Sequence, residues 1–129
     1  MRRAATLGVV AMAIAATPTA PTPTAAATTP ERVTVNCSPG VPEKHCPTAI
    51  HVYNFVVSHN FAAPPNLKGN LPYRDDFGKL RPGGDYREYR LYRTPGSSER
   101  LVIDRSNPEG NSWFTEDHYD NFVQFYLTL

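Results

Sequence analysis

The hydrophobic pattern that follows Cys46 predicts one amphipathic helix. In the segment PTAIHVYNFVVSHN, apolar side chains recur at the spacing of one helical face, at Ile50, Tyr53, Val56 and Val57. Pro47 is tolerated in the first turn of a helix, and the two prolines of AAPPN prevent continuation much beyond Asn60. We therefore expect a helix of about three turns.

From Asp85 onward the pattern changes to strict alternation, which is typical of strands. The segment DYREYRLYRT divides into two faces: Tyr86, Glu88, Arg90 and Tyr92 on one, and Arg87, Tyr89, Leu91 and Arg93 on the other. RLVIDR predicts a second strand, and SWFTEDHYDNFVQFYLTL predicts two short strands with a turn near residues 117–120. The short turns TPGSS and NPEGN favour antiparallel neighbours.

One helix followed by an antiparallel meander predicts an α+β fold, with the N-terminal helix packed on one face of the sheet. If Leu101 and Ile103 point to the helix, Arg100 points to the other face, which we expect to be open. Residues 64–84 are rich in Gly and Pro and predict a long loop with at most one short strand. A loop of this length in a compact domain is usually functional or disordered.

The first 30 residues differ from the rest in composition. Two arginines precede the uncharged run from Ala4 to Ala16, which is too short to span a bilayer and is typical of a secretory signal peptide. The Pro, Thr and Ala residues that follow contain several small-residue cleavage sites, so we expect the mature chain to start between Thr17 and Val33; a flexible linker is the alternative interpretation. Residues 31–129 are then one secreted domain with no membrane segment.

Removal of Arg2 and Arg3 leaves 11 basic against 12 acidic side chains. A domain so close to neutrality has no global attraction to a polyanion, so any nucleic-acid binding must depend on a local basic site. The two cysteines, Cys37 and Cys46, predict one disulfide in an exported chain. No cluster of Cys and His has metal-ligand spacing, so we expect no metal site.

Three ionisable residues of the predicted sheet could carry chemistry: Glu88, Arg100 and His118. A carboxylate and a histidine supply the two groups that a proton shuttle needs, and a guanidinium offers a planar fork to a phosphate. Each residue alone is more typical of a solvated or structural position. The residues by themselves therefore indicate an acid/base site without naming its substrate.

The C-terminal half resembles the small extracellular microbial ribonucleases of the barnase type, with the guanyl-preferring fungal enzymes as more distant relatives. The resemblance rests on YREY (86–89), TPG (94–96), ERLVI (99–103) and DHYDNF (117–122), in the family's order and approximate spacing. More loosely, CPTAIHVYNFVVS is similar to the family's N-terminal helix, and FGKLRPGG to the loop before its first central strand. The resemblance implies the microbial ribonuclease fold.

The resemblance also implies roles. Glu88 falls on the general base, Arg100 on the phosphate-binding arginine and His118 on the general acid of an endoribonuclease that needs no metal or other cofactor. The substrate-binding positions implied are Tyr119 and Arg87 at the phosphate, and Tyr73, Arg74, Asp75 and Asp76 at the base. The implied partners of a monomeric enzyme are single-stranded RNA and an intracellular protein inhibitor.

Two departures from the family pattern bear on the substrate. Ser97 and Ser98 stand where many members have a second arginine, so phosphate affinity depends on whether Arg90 or Arg93 substitutes. Phe77 falls where the family has a guanine-binding glutamate, although a shift of one residue would bring Asp76 there. Guanine preference is therefore an open hypothesis.

Two alternatives to an active ribonuclease remain at this point. One is a ribonuclease-like protein with little catalytic activity that acts by binding RNA or a protein partner. The other is a small disulfide-bonded binding or inhibitor module.

Overall fold

The computed structural model describes residues 34–129. The expected signal peptide and Pro/Thr/Ala-rich segment, residues 1–30, and the expected cleavage region up to Val33 lie outside the described residues. Within 34–129 the chain forms a 3₁₀ turn at Glu43–His45, one helix and seven strands. In chain order these are β1 (Asn36–Cys37), α1 (Cys46–Ser58), β2 (Gly69–Pro72), β3 (Tyr86–Arg90), β4 (Arg100–Asp104), β5 (Ser112–Thr115), β6 (Val123–Phe125) and β7 (Leu127–Thr128).

The main sheet has five antiparallel strands in the order β2-β3-β4-β5-β6. The order follows the sequence because the connections are short enough to join neighbours. The α+β class, the single helix in this part of the chain and the antiparallel sheet are thereby confirmed. A second sheet of two strands, β1 and β7, was not expected from the sequence.

The helix and the sheet enclose the main core. Its buried helical residues are Ala49, Val52, Tyr53 and Val56, and its buried sheet residues include Tyr89, Leu101, Ile103, Phe114 and Phe125. The prediction that Leu101 and Ile103 face the helix is confirmed. The predicted helical face was wrong at Val57, which is 39 % exposed; the buried stripe is rotated towards Ala49 and Val52.

The disulfide Cys37–Cys46 is confirmed and joins β1 to the first residue of α1. Asn36 and Cys37 also pair with Thr128 and Leu127, so backbone pairing attaches the same segment to β7. The beginning of the described chain is thus fixed at two places, covalently to the helix and by backbone pairing to the C-terminal strand.

The sheet face opposite the helix is not open, as the sequence suggested, but largely covered. Leu80, Tyr86 and Val102 form a second, smaller buried cluster, against which pack Tyr73, Trp113, Tyr119 and Phe122. The covering aromatic residues come mainly from the loop before β3 and the loop between β5 and β6. Access to this face is therefore restricted to a cleft between the two loops.

Candidate active site

Glu88 and Arg100 come from neighbouring strands and share the face opposite the helix. Glu88 in β3 lies directly opposite Val102 in β4, and Arg100 precedes Val102 by two residues. Side chains alternate along a strand and directly opposed residues share a face, so Glu88 and Arg100 are diagonal neighbours. Glu88 is half-buried, and Arg100 is only 4 % exposed.

The Arg100 guanidinium is anchored by the backbone that precedes its own strand. Its Nη1 donates to the carbonyl oxygens of Ser97, at 2.8 Å, and Glu99, at 2.9 Å. No ion pair within residues 34–129 involves Arg100. Since a buried charge without a counter-charge is unfavourable, this position is suited to an anionic ligand.

Arg90 adds a second positive charge to the same face. It lies directly opposite Arg100 in the β3–β4 ladder and is half-buried. Like charges in this arrangement destabilise a sheet, and Arg90 takes part in no ion pair of the described residues either. Arg90 and Arg93 could each replace the second arginine that the family has where this chain has Ser97 and Ser98. Arg90 shares a sheet face with Arg100, whereas Arg93 lies beyond the end of β3 and is exposed.

His118 lies in the loop between β5 and β6, and the backbone there is unusual. His118 has φ +54° and Tyr119 has φ +79°, which places two consecutive non-glycine residues in the left-handed region. This conformation costs on the order of 1 to 2 kcal/mol per residue and persists only where the surroundings enforce it. The backbone N–H of His118 donates to the carbonyl of Ser98 at 3.2 Å, and its side chain is exposed.

Thr115 at the end of β5 enforces this loop geometry. Its Oγ1, which is buried, accepts hydrogen bonds from the backbone N–H groups of Tyr119, at 3.1 Å, and Asp117, at 3.3 Å, and donates to the Asp117 carboxylate at 2.9 Å. The Asp117 carboxylate also accepts from the side chain and backbone of Asn121, at 2.6 and 2.9 Å. The side-chain hydrogen bond from Asn121 is the largest cause that lowers the pKa of Asp117, to about 2.

Tyr119 links the loop to the sheet, because its hydroxyl donates a short hydrogen bond to Oε1 of Glu88. Burial raises the pKa of Tyr119 well above its ordinary value, the bond to Glu88 raises it further, and the nearby Arg100 guanidinium opposes part of this increase. The phenol therefore stays protonated and remains a donor to the carboxylate. Glu88, Tyr119 and Arg100 form one contiguous polar cluster.

The loop that precedes β3 forms the opposite wall. The Tyr73 ring stacks on Tyr119, with centroids 5.1 Å apart and planes 28° apart, and meets Phe122 edge-on at 5.9 Å. The Asp75 carboxylate accepts from the backbone N–H groups of Lys79 and Leu80, at 2.8 and 3.0 Å, and so closes the loop on itself.

Between these walls is an open cleft of about 360 Å³, within the range of small-ligand sites. Its lining brings together most of the residues singled out in the sequence: Tyr73, Arg74, Asp75, Asp76, Glu88, His118 and Tyr119. Phe77, Lys79 and Asp120 line it as well. A carboxylate and an imidazole thus line one cavity, whereas Arg100, the diagonal neighbour of Glu88 on the sheet, is not among its lining residues.

Arg87 is not part of this arrangement. It lies opposite Ile103 of β4, so it shares the helix-side face and not the face of Glu88. Its Nη1 donates to the Asn70 carbonyl at 3.4 Å, and its Nε is 3.9 Å from the Asp85 carboxylate. The structure therefore does not bring Arg87 to the cleft as a phosphate ligand.

Lys79 was not singled out in the sequence, yet it joins the two loops. Its Nζ donates to the carbonyl oxygens of Asp120, at 2.6 Å, and Tyr119, at 3.3 Å. A lysine in a Gly/Pro-rich loop gives no sequence signal for such a contact, which arises only when residues about 40 positions apart are folded together.

The structure shows an α+β protein with a cleft, lined by a carboxylate and an imidazole, on the sheet face opposite its helix. Comparison of the chain with models of protein families, with curated proteins and with solved structures gives no match. Within residues 34–129, no group of three or more His, Cys, Asp or Glu side chains is placed to hold a metal ion. The described helix is neither long nor apolar enough to cross a membrane.

Proposed function

We propose that this chain is a secreted, metal-independent endoribonuclease that cleaves single-stranded RNA by transphosphorylation. The observation that carries the proposal is the convergence of Glu88 and His118 on one cleft, with the buried guanidinium of Arg100 beside Glu88. Its α+β fold, with one helix and a five-stranded antiparallel sheet, is compatible with the microbial ribonuclease fold that the motifs imply.

In the first step, Glu88 removes the proton from a ribose 2′-hydroxyl, and the oxygen attacks the adjacent phosphorus. His118 protonates the departing 5′-oxygen, and a 2′,3′-cyclic phosphate remains. In the second step the two residues exchange roles, and water opens the cyclic ester. DNA lacks the nucleophilic hydroxyl and is not a substrate.

The phosphate is bound by the arginines of the sheet face. Negative charge develops on the phosphoryl oxygens in the transition state, and a fixed positive group near them lowers the barrier. Arg100 has no carboxylate partner in the described chain and is anchored by two carbonyls, so it is pre-positioned for this role. Arg90, directly opposite, supplies the second guanidinium.

The Tyr119 hydroxyl completes the site. In the structure, this hydroxyl donates its hydrogen bond to Oε1 of Glu88. When RNA binds, the hydroxyl can move from the carboxylate to a phosphate oxygen, which frees the base at the moment when the 2′-hydroxyl arrives. Loss of either proton-transfer group should reduce the rate by roughly 10²- to 10⁴-fold.

The decisive experiment incubates residues 34–129 with single-stranded RNA in EDTA and measures 2′,3′-cyclic phosphate ends. Wild-type protein should release them, and Glu88→Gln and His118→Ala should lose most of the rate. Matched controls are Glu109→Gln and His51→Ala, whose side chains are exposed and lie outside the cleft. The proposal fails if wild-type protein releases no cyclic ends, or if the control variants lose as much activity as the cleft variants.

A second function is supported by the same contact between Tyr119 and Glu88. If the hydroxyl does not leave the carboxylate, the chain is a ribonuclease-like protein that binds RNA or a protein partner without efficient cleavage. Binding of RNA in EDTA with no cyclic ends from the wild-type protein, and a gain of cleavage in Tyr119→Phe, would favour this function. The proposed enzyme would act as a monomer outside the cell, and its producer would need an intracellular protein inhibitor before export.

A further inference from the structure

Phe77 is the most exposed aromatic side chain of the cleft. Its ring is 87 % exposed, and it lines the same cavity as Glu88 and His118. Exposure of a large apolar ring is unfavourable in water, so a ring that lines a polar cleft is a candidate contact for an apolar ligand surface.

Phe77 lies in a turn that is closed by hydrogen bonds to Asp75. Asp75, at φ +52°, accepts hydrogen bonds at two groups. Its carboxylate accepts from the backbone N–H groups of Lys79 and Leu80, and its carbonyl oxygen accepts from the backbone N–H of Gly78 at 3.0 Å. Phe77 lies between these anchored residues, at the tip of the turn. These hydrogen bonds hold the turn in the conformation that carries Phe77 to the cleft.

The carboxylates of the loop are poorly placed to read the edge of a base. Both oxygens of Asp75 are used by the backbone. Asp76 lies 3.4 Å from the Arg74 Nε, and these two side chains are 66 % and 82 % exposed. Strong discrimination between bases needs buried polar groups that are left unpaired by the wrong base, and an exposed ion pair imposes no such penalty.

Recognition of a base by stacking, in contrast, gives little specificity. Each of the four bases has a π-face, so an aromatic platform binds all of them with little preference. Tyr73 and Tyr119, which stack on each other across the cleft, line it as well and add further aromatic surface.

We propose that Phe77 is the stacking platform for the nucleobase next to the scissile phosphate, and that the cleft accepts purines and pyrimidines without a requirement for guanine. The inference rests on the proposed function for its substrate class, single-stranded RNA. It replaces the open hypothesis of guanine preference with recognition through the face of the base.

Two measurements test it. Affinities for 3′-GMP, 3′-AMP, 3′-CMP and 3′-UMP report base recognition without cleavage, and kcat/KM for four dinucleotides that differ in the 5′ base reports it during cleavage. We expect each set to lie within about tenfold, and Phe77→Ala to weaken all four by a similar factor, about 5- to 100-fold. Phe77→Trp should retain wild-type values.

Val57→Ala, which removes another exposed apolar side chain from the outer surface of α1, is the matched control and should change nothing. A guanine preference above about 100-fold, or unchanged affinities in Phe77→Ala, would overturn the inference and leave the proposed function intact. Nucleotide affinities that follow the expected pattern, without cleavage of any dinucleotide, would instead refute the enzyme and retain the platform.

Discussion

Replacement of Thr115 by valine should release the loop that carries His118. Valine keeps the branched shape of threonine and removes only the hydroxyl, which accepts from the backbone of Tyr119 and Asp117 and donates to the Asp117 carboxylate. Thr115 is 1 % exposed, so water cannot replace the lost oxygen from the side of the core.

The expected loss of stability follows from these three bonds. A hydrogen bond contributes about 0.5 to 1.5 kcal/mol net, and one to a charged group somewhat more. The Asp117 partner is partly exposed, so water restores part of the loss there, and the new buried methyl group contributes about 0.8 kcal/mol in the other direction. We therefore expect Thr115→Val to lower the free energy of unfolding by about 2 kcal/mol and Tm by about 8 to 16 °C.

The catalytic effect should exceed what unfolding explains. His118 and Tyr119 hold left-handed backbone conformations that each cost on the order of 1 to 2 kcal/mol, and loss of the Tyr119 anchor lets them relax. A displacement of about 1 Å can cost a catalytic group about 100-fold in rate, so kcat should fall by about that factor at a temperature where the variant is fully folded.

The assay combines urea unfolding with cleavage of a dinucleotide at 10 °C, and the control is Thr115→Ser, which keeps the hydroxyl. The serine variant should retain kcat within a few-fold. A valine variant that is destabilised yet cleaves at the wild-type rate would show that His118 does not depend on Thr115. A valine variant as stable as wild type would refute the hydrogen-bond estimate itself.

Three further perturbations give separate readouts. The double variant of Cys37 and Cys46 to serine should lose on the order of 2 to 3 kcal/mol of stability, measured in urea, with kcat unchanged, since the bridge joins β1 to α1 away from the cleft; loss of kcat in the folded variant would contradict this. Asp117, whose pKa is lowered from 3.8 to about 2, contributes stability that is present above about pH 4 and lost as the pH falls towards 2. Asp117→Asn should therefore be less stable than wild type at pH 6, with a difference that disappears as the pH falls through 2, and a difference independent of pH would contradict the assignment. Lys79→Met should raise KM several-fold and leave Tm nearly unchanged, because its contacts join two surface loops beside the cleft; an unchanged KM would exclude a positioning role.

The sequence predicted the sheet because its pattern is local. Glu88 and Arg100 could be assigned to one face since alternation places them there once Leu101 and Ile103 are turned to the helix, and the observed register agrees. The same alternation places Arg87 on the helix side of the sheet. The phosphate-binding role that the resemblance implies for Arg87 therefore disagrees with the alternation of the strand.

The covered face could not be predicted in this way. Tyr73, Tyr119 and Phe122 lie in loops without periodicity, and their mutual packing depends on contacts between distant segments. The pairing of β1 with β7 escapes prediction for a related reason: strands of two residues are too short to show alternation. Val57 is apolar and adjoins the buried face of the helix, so periodicity alone assigns it to that face. It is nevertheless exposed, because a helix buries only about a third of its circumference.

The charges of the cleft indicate how a nearly neutral chain could act on a polyanion. With 11 basic and 12 acidic side chains outside the first 30 residues, long-range attraction contributes little. Four carboxylates, Asp75, Asp76, Glu88 and Asp120, line the cleft against two cations, Arg74 and Lys79, so its net negative charge would repel RNA at a distance. In the proposed enzyme, Arg100, a buried neighbour of Glu88 with no carboxylate partner in the described chain, would act only on a phosphate that has already reached the sheet. Its interaction would then be concentrated where transition-state charge develops, an arrangement that favours catalysis over tight binding of the substrate.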